Sequence, residues 1–230
     1  MTELASDHVR EHRSVLMALE KRLLVWIAER LPKPVTSDHL TVLGFFGMLL
    51  AGVSYGAARW DELALLAVVP ALALNWFGDS LDGTLARVRN CQRRRYGFYV
   101  DHVLDMIGTA FLLVGLAVSG YMTPLISLGL LAGFLLVCAE SYLATHTLGI
   151  FRLASMRVGG TELRIILAVG TVWLLYKPTV HLGSLGPFLL FDVGGICAIA
   201  GLAVALILSA VSNTRTLYKA DPLPRFGDSR

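Results

Sequence analysis

Long apolar runs separated by short polar links dominate the pattern of this 230-residue chain. Six of the runs read as helices, at about 38–58, 62–88, 97–120, 123–148, 161–176 and 191–213. Each is near the roughly 20 residues that cross about 30 Å of hydrocarbon, and only the fifth is short. The first opens on VTSDHLT, where Ser37 or Asp38 is the predicted N-cap. Ahead of it, Asp7 to Leu31 places Leu16, Leu19, Leu23, Trp26 and Ile27 on one face at helical spacing. Arg13, Lys21 and Arg22 sit among the more polar positions, and Pro32 and Pro34 end the segment. The pattern predicts an all-α, polytopic membrane protein: six transmembrane helices preceded by an N-terminal amphipathic helix lying at the interface. Residues 1–34 then form a cytoplasmic interfacial helix, 35–215 the membrane domain, and 216–230 a cytoplasmic tail.

Composition agrees, with 55% hydrophobic residues and a mean hydropathy of +0.64, too apolar for an ordinary soluble domain. Charge placement adds an orientation. Eighteen of the 20 Lys and Arg residues fall in the N-terminal segment, the second-to-third link, the fourth-to-fifth link with the start of the fifth helix, and the C-terminal tail. Only Arg59 and Lys177 lie on the other side. The bias predicts cytoplasmic termini and cytoplasmic basic links, in a cell membrane. Net charge is only +3, which gives no basic face for nucleic acid. Arg93, Arg94 and Arg95 read as lipid-headgroup contacts. Trp60, Trp76, Trp173 and Tyr176 read as interfacial anchors or packing residues. Cys91, Cys138 and Cys197 form no CxxC, so neither a disulfide nor a zinc site is expected.

The chemistry concentrates in Gly78 to Asp105, GDSLDGTLARVRNCQRRRYGFYVDHVLD. Asp79 and Asp82 are i,i+3 and Asp101 and Asp105 are i,i+4, so each pair projects from one helix face. Acids in membrane-spanning segments are costly and mark function. Two carboxylates about 5 Å apart at an effective dielectric of about 20 repel by roughly 3 kcal/mol. Protonation or bound cations relieve that, and oxygen-only donors favour magnesium, manganese or calcium over zinc. Gly83 allows close approach to the backbone, Ala86 keeps the same face open, and Arg87 is a fixed cation suited to phosphate. Carboxylate-held metal beside arginine is an arrangement for phosphoryl transfer.

These residues resemble the CDP-alcohol phosphotransferase family, whose pattern is Asp-x2-Asp-Gly-x2-Ala-Arg followed by Gly-x3-Asp-x3-Asp. Asp79, Asp82, Gly83, Ala86, Arg87, Gly97, Asp101 and Asp105 match it in order. Nine residues separate Arg87 from Gly97, one more than is usual in the family, within a polar link that absorbs length easily. The resemblance implies transfer of a substituted phosphate from CDP-diacylglycerol to a polar alcohol, with release of CMP. It implies that Asp79, Asp82 and Asp101 hold one or two Mg2+ or Mn2+ ions against the donor diphosphate. Asp105 completes the second metal position or acts as general base, and the resemblance favours the base. Gly83 and Ala86 leave room for the nucleotide, Arg87 pairs with phosphate, and Gly97 permits close approach of the third helix. Relatives carry Thr-Pro-Asn-x-x-Thr at the start of the first helix. Here Ser37-Asp38 replaces Pro-Asn, while Thr36 and Thr41 remain, and Thr41 is expected near the cytidine. A homodimer embedded among membrane lipids is also implied.

Other residues leave choices open. Arg152, Arg157 and Arg164 are either topology signals or a pocket for an anionic acceptor such as a phosphorylated polyol. Glu140 either braces the site or is simply paired near a helix end. Thr161 is the expected cap of the fifth helix, with Glu162 in its first turn. Two other functions fit in part: transfer from CDP-choline or CDP-ethanolamine to a lipid alcohol, and cation-coupled transport. A transporter would not need Gly83, Ala86 and Arg87, and no inverted repeat of the motif is present.

Overall fold

The computed structural model describes residues 15–148, 160–181, 183 and 186–221. Among these are seven α-helices: α1 (Val15–Arg30), α2 (Ser37–Ala57), α3 (Leu65–Val88), α4 (Arg94–Ser119), α5 (Pro124–Leu148), α6 (Gly160–Leu174) and α7 (Leu190–Ala220). A 3-10 turn at Glu62–Ala64 leads into α3. A two-stranded antiparallel hairpin, β1 (Thr179–His181) with β2 (Pro187–Leu189), joins α6 to α7. The all-α, multi-pass membrane architecture holds.

Five of the six predicted spans are helices long and apolar enough to cross a bilayer: α2, α3 with its leading turn, α4, α5 and α7. The fifth predicted span is α6, whose 15 residues reach only about 22 Å at 1.5 Å per residue. Helix α7 runs seven residues beyond the expected end at 213. Large apolar side chains are exposed on the outward faces of these helices, as at Phe46, Val53, Phe111, Leu125 and Leu208. Such apolar surface suits lipid and not water.

The N-cap of α2 is Thr36, not Ser37 or Asp38. Thr36 takes extended dihedrals, and its Oγ1 accepts from the His39 amide at 3.4 Å. His39 Nδ1 accepts in turn from the Thr36 amide at 3.1 Å. This reciprocal box satisfies two backbone donors one residue earlier than expected, and it frees the Ser37 and Asp38 side chains for other partners.

Small residues let α2 lie close to both neighbours, the usual device where helices associate without a water-driven force. A Cβ at Gly78 of α3 would meet Leu40 O at 2.5 Å and Gly44 Cα at 2.6 Å of α2. A Cβ at Gly115 of α4 would run into the Gly52 carbonyl. The main core follows from these contacts, with Ala51, Tyr55, Val68, Leu72, Leu112 and Leu116 buried together. Tyr55 bonds Thr171 of α6 at 2.5 Å inside it. Helix α4 ends at Gly120, whose φ of +84° is left-handed.

Helix α1 packs inward through Leu24 and Ala28 onto Leu40, Leu81 and Leu85. Leu23 and Trp26 remain exposed on its other side, with the Arg30 guanidinium 4.2 Å above the Trp26 ring. The helix therefore carries two apolar faces, one packed and one outward, where the spacing predicted a single one. Polar ties hold it in place. Glu20 Oε1 accepts from Trp76 Nε1 at 2.8 Å and from Thr161 Oγ1 at 3.0 Å. Thr161 is thus a strut within the first turn of α6, not its cap. Just past α3, Arg89 donates to the carbonyls of Leu31, Pro32 and Val35. That arginine holds the α1–α2 connection to the end of α3.

Candidate active site

The close α2–α3–α4 packing brings the four aspartates together. Carboxylate oxygens of Asp79, Asp101 and Asp105 lie within 4.8 Å of one another. Three anionic oxygen donors converging at that distance fit a hard divalent cation, so these side chains would hold one. The resemblance named Asp82 for metal as well, and its carboxylate lies outside this trio. Both oxygens of Asp82 are engaged locally: Thr41 Oγ1 donates to Oδ2 at 2.7 Å, and the Gly83 amide donates to Oδ1. Asp82 is the most enclosed of the four, at 8% exposure, and it interacts electrostatically with Asp101 and Asp79.

Two cavities meet at this point. A small one, about 10 Å³, is lined by Asn75 and all four aspartates. A larger one of about 270 Å³ opens beside it, lined by Gly83, Ala86, Arg87, Arg93, Arg94 and Gly97 among others. Thr41, Asp82 and Asp101 line both and form the shared wall. The larger cavity presents three guanidinium groups next to an acidic centre. That combination suits a diphosphate bridged to metal.

The glycines separate by role. A Cβ at Gly83 would meet only the Arg87 guanidinium, nearest at Nη1, 3.5 Å away, so the protein itself has room for a side chain there. Space over that backbone is kept for something other than this chain. At Gly97 a Cβ would meet nothing within 4 Å. Gly97 therefore does not serve close approach of α4 to a neighbouring helix; it borders the cavity. The contacts that draw α2, α3 and α4 together are made by Gly78, Gly44, Gly52 and Gly115.

Arg87 donates to Thr84 Oγ1 at 3.0 Å from its own helix, which aims its guanidinium along the cavity wall. Thr41, expected beside the cytidine, spends its hydroxyl on Asp82 while still lining the larger cavity. Arg93 is no simple headgroup contact. It pairs with Asp38 across the mouth, packs 4.1 Å from the Tyr96 ring centroid and lines the cavity together with Arg94. The hydrogen bond to Asp38 holds the Arg93 guanidinium above its ordinary pKa. Nothing in the basic run 93–95 distinguished this arginine, because its partner lies 55 positions away.

Arg164 reaches the acids from α6. One terminal nitrogen donates to Asp79 Oδ2 at 2.5 Å and Nε donates to Asn75 Oδ1 at 2.6 Å. Asn75 is a site residue that sequence reasoning missed. Its signal was a lone amide one turn before Asp79 in an otherwise apolar run. Arg152 and Arg157 lie outside the described residues. Glu140 is not at the acids: it accepts from Ser209 Oγ at 2.8 Å and from Asn213 Nδ2 at 2.7 Å, tying α5 to α7. On the remaining flank, Phe98, His102 and Tyr142 form an aromatic wall, with Phe98 and His102 ring centroids 4.2 Å apart.

Comparison with known proteins agrees with this geometry. The chain is 33% identical over 86 residues to an archaetidylinositol phosphate synthase of Pyrococcus horikoshii. That alignment covers 37% of this chain and 43% of the relative's length. The family model for CDP-alcohol phosphatidyltransferase matches residues 34–211, from the start of α2 into α7. With most of the chain inside that match and the motif acids gathered at one centre, the protein belongs to the CDP-alcohol phosphatidyltransferase family.

Proposed function

We propose that this protein moves the phosphatidyl group of CDP-diacylglycerol to an alcohol acceptor and releases CMP, as a step of phospholipid synthesis. The observation that carries the reading is the shared wall of Thr41, Asp82 and Asp101, with clustered acids on one side and an arginine-lined cavity on the other. The nucleotide of the donor occupies the larger cavity over Gly83 and Ala86, and Arg87 pairs with its phosphate. Asp79, Asp101 and Asp105 hold a divalent cation, magnesium or manganese, with Asp82 available once Thr41 yields. When bound, the cation neutralises the diphosphate and the charge that develops on departing CMP.

The chain's own groups do the rest. Arg87 and the cavity backbone fix the diphosphate for in-line attack. Asp105 accepts the proton of the acceptor hydroxyl as its oxygen bonds to the phosphatidyl phosphorus. The phosphorus–oxygen bond to CMP breaks, and CMP leaves with that bonding pair. The similarity to an archaetidylinositol phosphate synthase supports an anionic acceptor, a phosphorylated polyol. The basic bias of the links supports a cytoplasmic site and cytoplasmic termini in the cell membrane. On this reading residues 35–215 are the catalytic membrane domain, and residues 1–34 hold α1 at the interface. Residues 216–230 are the cytoplasmic tail, into which α7 continues as far as Ala220, and the protein works as the homodimer its family implies.

The test is CMP release by the purified protein in nanodiscs, with CDP-diacylglycerol, Mg2+ and a panel of alcohols. Release that needs one acceptor, stops with chelator and returns with Mg2+ or Mn2+ is the expected result. No release with any acceptor from folded protein would overturn the reading. Release with CDP-choline or CDP-ethanolamine alone would reassign the donor.

A further inference from the structure

Arg164 carries an ion pair that transfer chemistry does not by itself require. Its side chain is 18% exposed and enters the acidic centre from α6. Nε is bonded to Asn75 and a terminal nitrogen to Asp79, one helical turn apart on α3, so the guanidinium brackets an i,i+4 pair. Asn75 is itself fixed: at 2% exposure, its Nδ2 donates to the Gly44 carbonyl of α2 at 2.9 Å. The connected groups therefore run from α2 through α3 to α6 and end on a carboxylate of the acidic trio.

Two physical consequences follow. The bracket ties Asp79 Oδ2 and so sets the plane in which Oδ1 is presented. A planar fork can do this and a point charge cannot. The bracket also places one permanent positive charge among four carboxylates, which reduces their mutual repulsion before any cation arrives. A topology arginine would have no reason to be committed in this way. An arginine reserved for a soluble anion would not spend its fork on Asn75 and Asp79.

We propose that Arg164 is a positioning residue for the transfer reaction: docked on Asn75, it holds the Asp79 carboxylate aimed into the acidic centre and supplies its fixed counter-charge. The inference rests on the transfer reading above, and it moves Arg164 from the acceptor pocket to the support of the acids. The buried amide of Asn75 is the second member of the device, since its Oδ1 holds Arg164 Nε one helical turn before Asp79.

The test uses the full chain in nanodiscs, with Arg164→Gln, Arg164→Lys and Asn75→Leu. Mn2+ binding is read by electron paramagnetic resonance without substrates, and kcat and KM are read with each substrate varied. In Arg164→Gln one positive charge leaves the cluster, so Mn2+ should bind about tenfold tighter, while kcat falls about 100-fold through misaim. The acceptor KM should not move. Asn75→Leu keeps the charge and loses the aim, so kcat should fall with Mn2+ affinity unchanged. Arg164→Lys, which fills similar space and keeps the charge, should fold and fail to restore kcat.

A raised acceptor KM at unchanged kcat would return Arg164 to the acceptor pocket and overturn the proposal. Weaker Mn2+ binding in Arg164→Gln, or full kcat in Arg164→Lys or Asn75→Leu, would overturn it as well. Absence of CMP release from the unmodified protein would instead refute the transfer reading. The substrate-free Mn2+ titration would still decide the role of Arg164 at the acids.

Discussion

Gly78 joins packing to chemistry, because it is both a close contact of α3 with α2 and the residue before Asp79. Consider Gly78→Ala. The new Cβ would stand 2.6 Å from Gly44 Cα and 2.5 Å from Leu40 O. Carbon–carbon contact becomes favourable only near roughly 3.5 Å, so the helices must part by about 0.9 Å. Both obstacles are backbone, so no rotamer change can absorb the shift. Thr41 rides on α2 beside Leu40, and its bond to Asp82 starts at 2.7 Å. The same opening takes that bond to about 3.6 Å, beyond hydrogen bonding. Overpacking of this kind costs about 1–3 kcal/mol, and a misplacement near 1 Å costs on the order of 100-fold in rate. The assay pairs thermal unfolding in nanodiscs with CMP release at a temperature where the variant remains folded. Both should fall. A variant with unmodified melting and turnover would show that α2–α3 contact at Gly78 does not set the site, and the steric argument would fail.

Three further outcomes follow from the same geometry. Gly83→Ala should melt like the unmodified protein, because its Cβ meets only a movable guanidinium 3.5 Å away; its donor KM should rise, measured by varying CDP-diacylglycerol. Asp105→Asn should retain nucleotide donor binding in a direct titration and lose turnover, whereas near-normal turnover would remove Asp105 as the base. Glu140→Gln keeps one acceptor for two donors, Ser209 and Asn213, so it should lose about 1 kcal/mol of stability with kcat unchanged.

The helical framework and the acids were legible in the sequence because both depend on local spacing. Apolar run length marks a helix in lipid, and i,i+3 or i,i+4 spacing puts Asp79, Asp82, Asp101 and Asp105 on paired faces. What was not legible depends on pairs distant along the chain. Thr41 on Asp82 spans 41 positions, Arg93 on Asp38 spans 55 and Arg164 on Asp79 spans 85. No local pattern says which arginine of a basic link meets an acid and which meets lipid. The N-cap of α2 lies one or two residues before the expected Ser37 or Asp38 because Thr36, Ser37 and Asp38 all have capping side chains. Only the reciprocal bond with His39 separates them. Gly97 was misread for a related reason: a glycine's spacing reveals that space is needed, but not whether a helix or a cavity needs it.

The polar ties at the two ends of α5 have a mechanical meaning. Near one end Glu140 grips Ser209 and Asn213 of α7; just before the other, the Thr123 amide and hydroxyl each donate at 2.6 Å to Asp192, in the first turn of α7. Two rivets on one seam forbid sliding. A slip of one helical turn, about 5.4 Å, would shear both at once and strand a carboxylate at each end. Helices α5 and α7 must therefore travel as a single plank. Since α5 carries Tyr142 of the aromatic wall, any widening of that flank swings the plank as a whole, against a frame of α2, α3 and α4 locked by glycine contact.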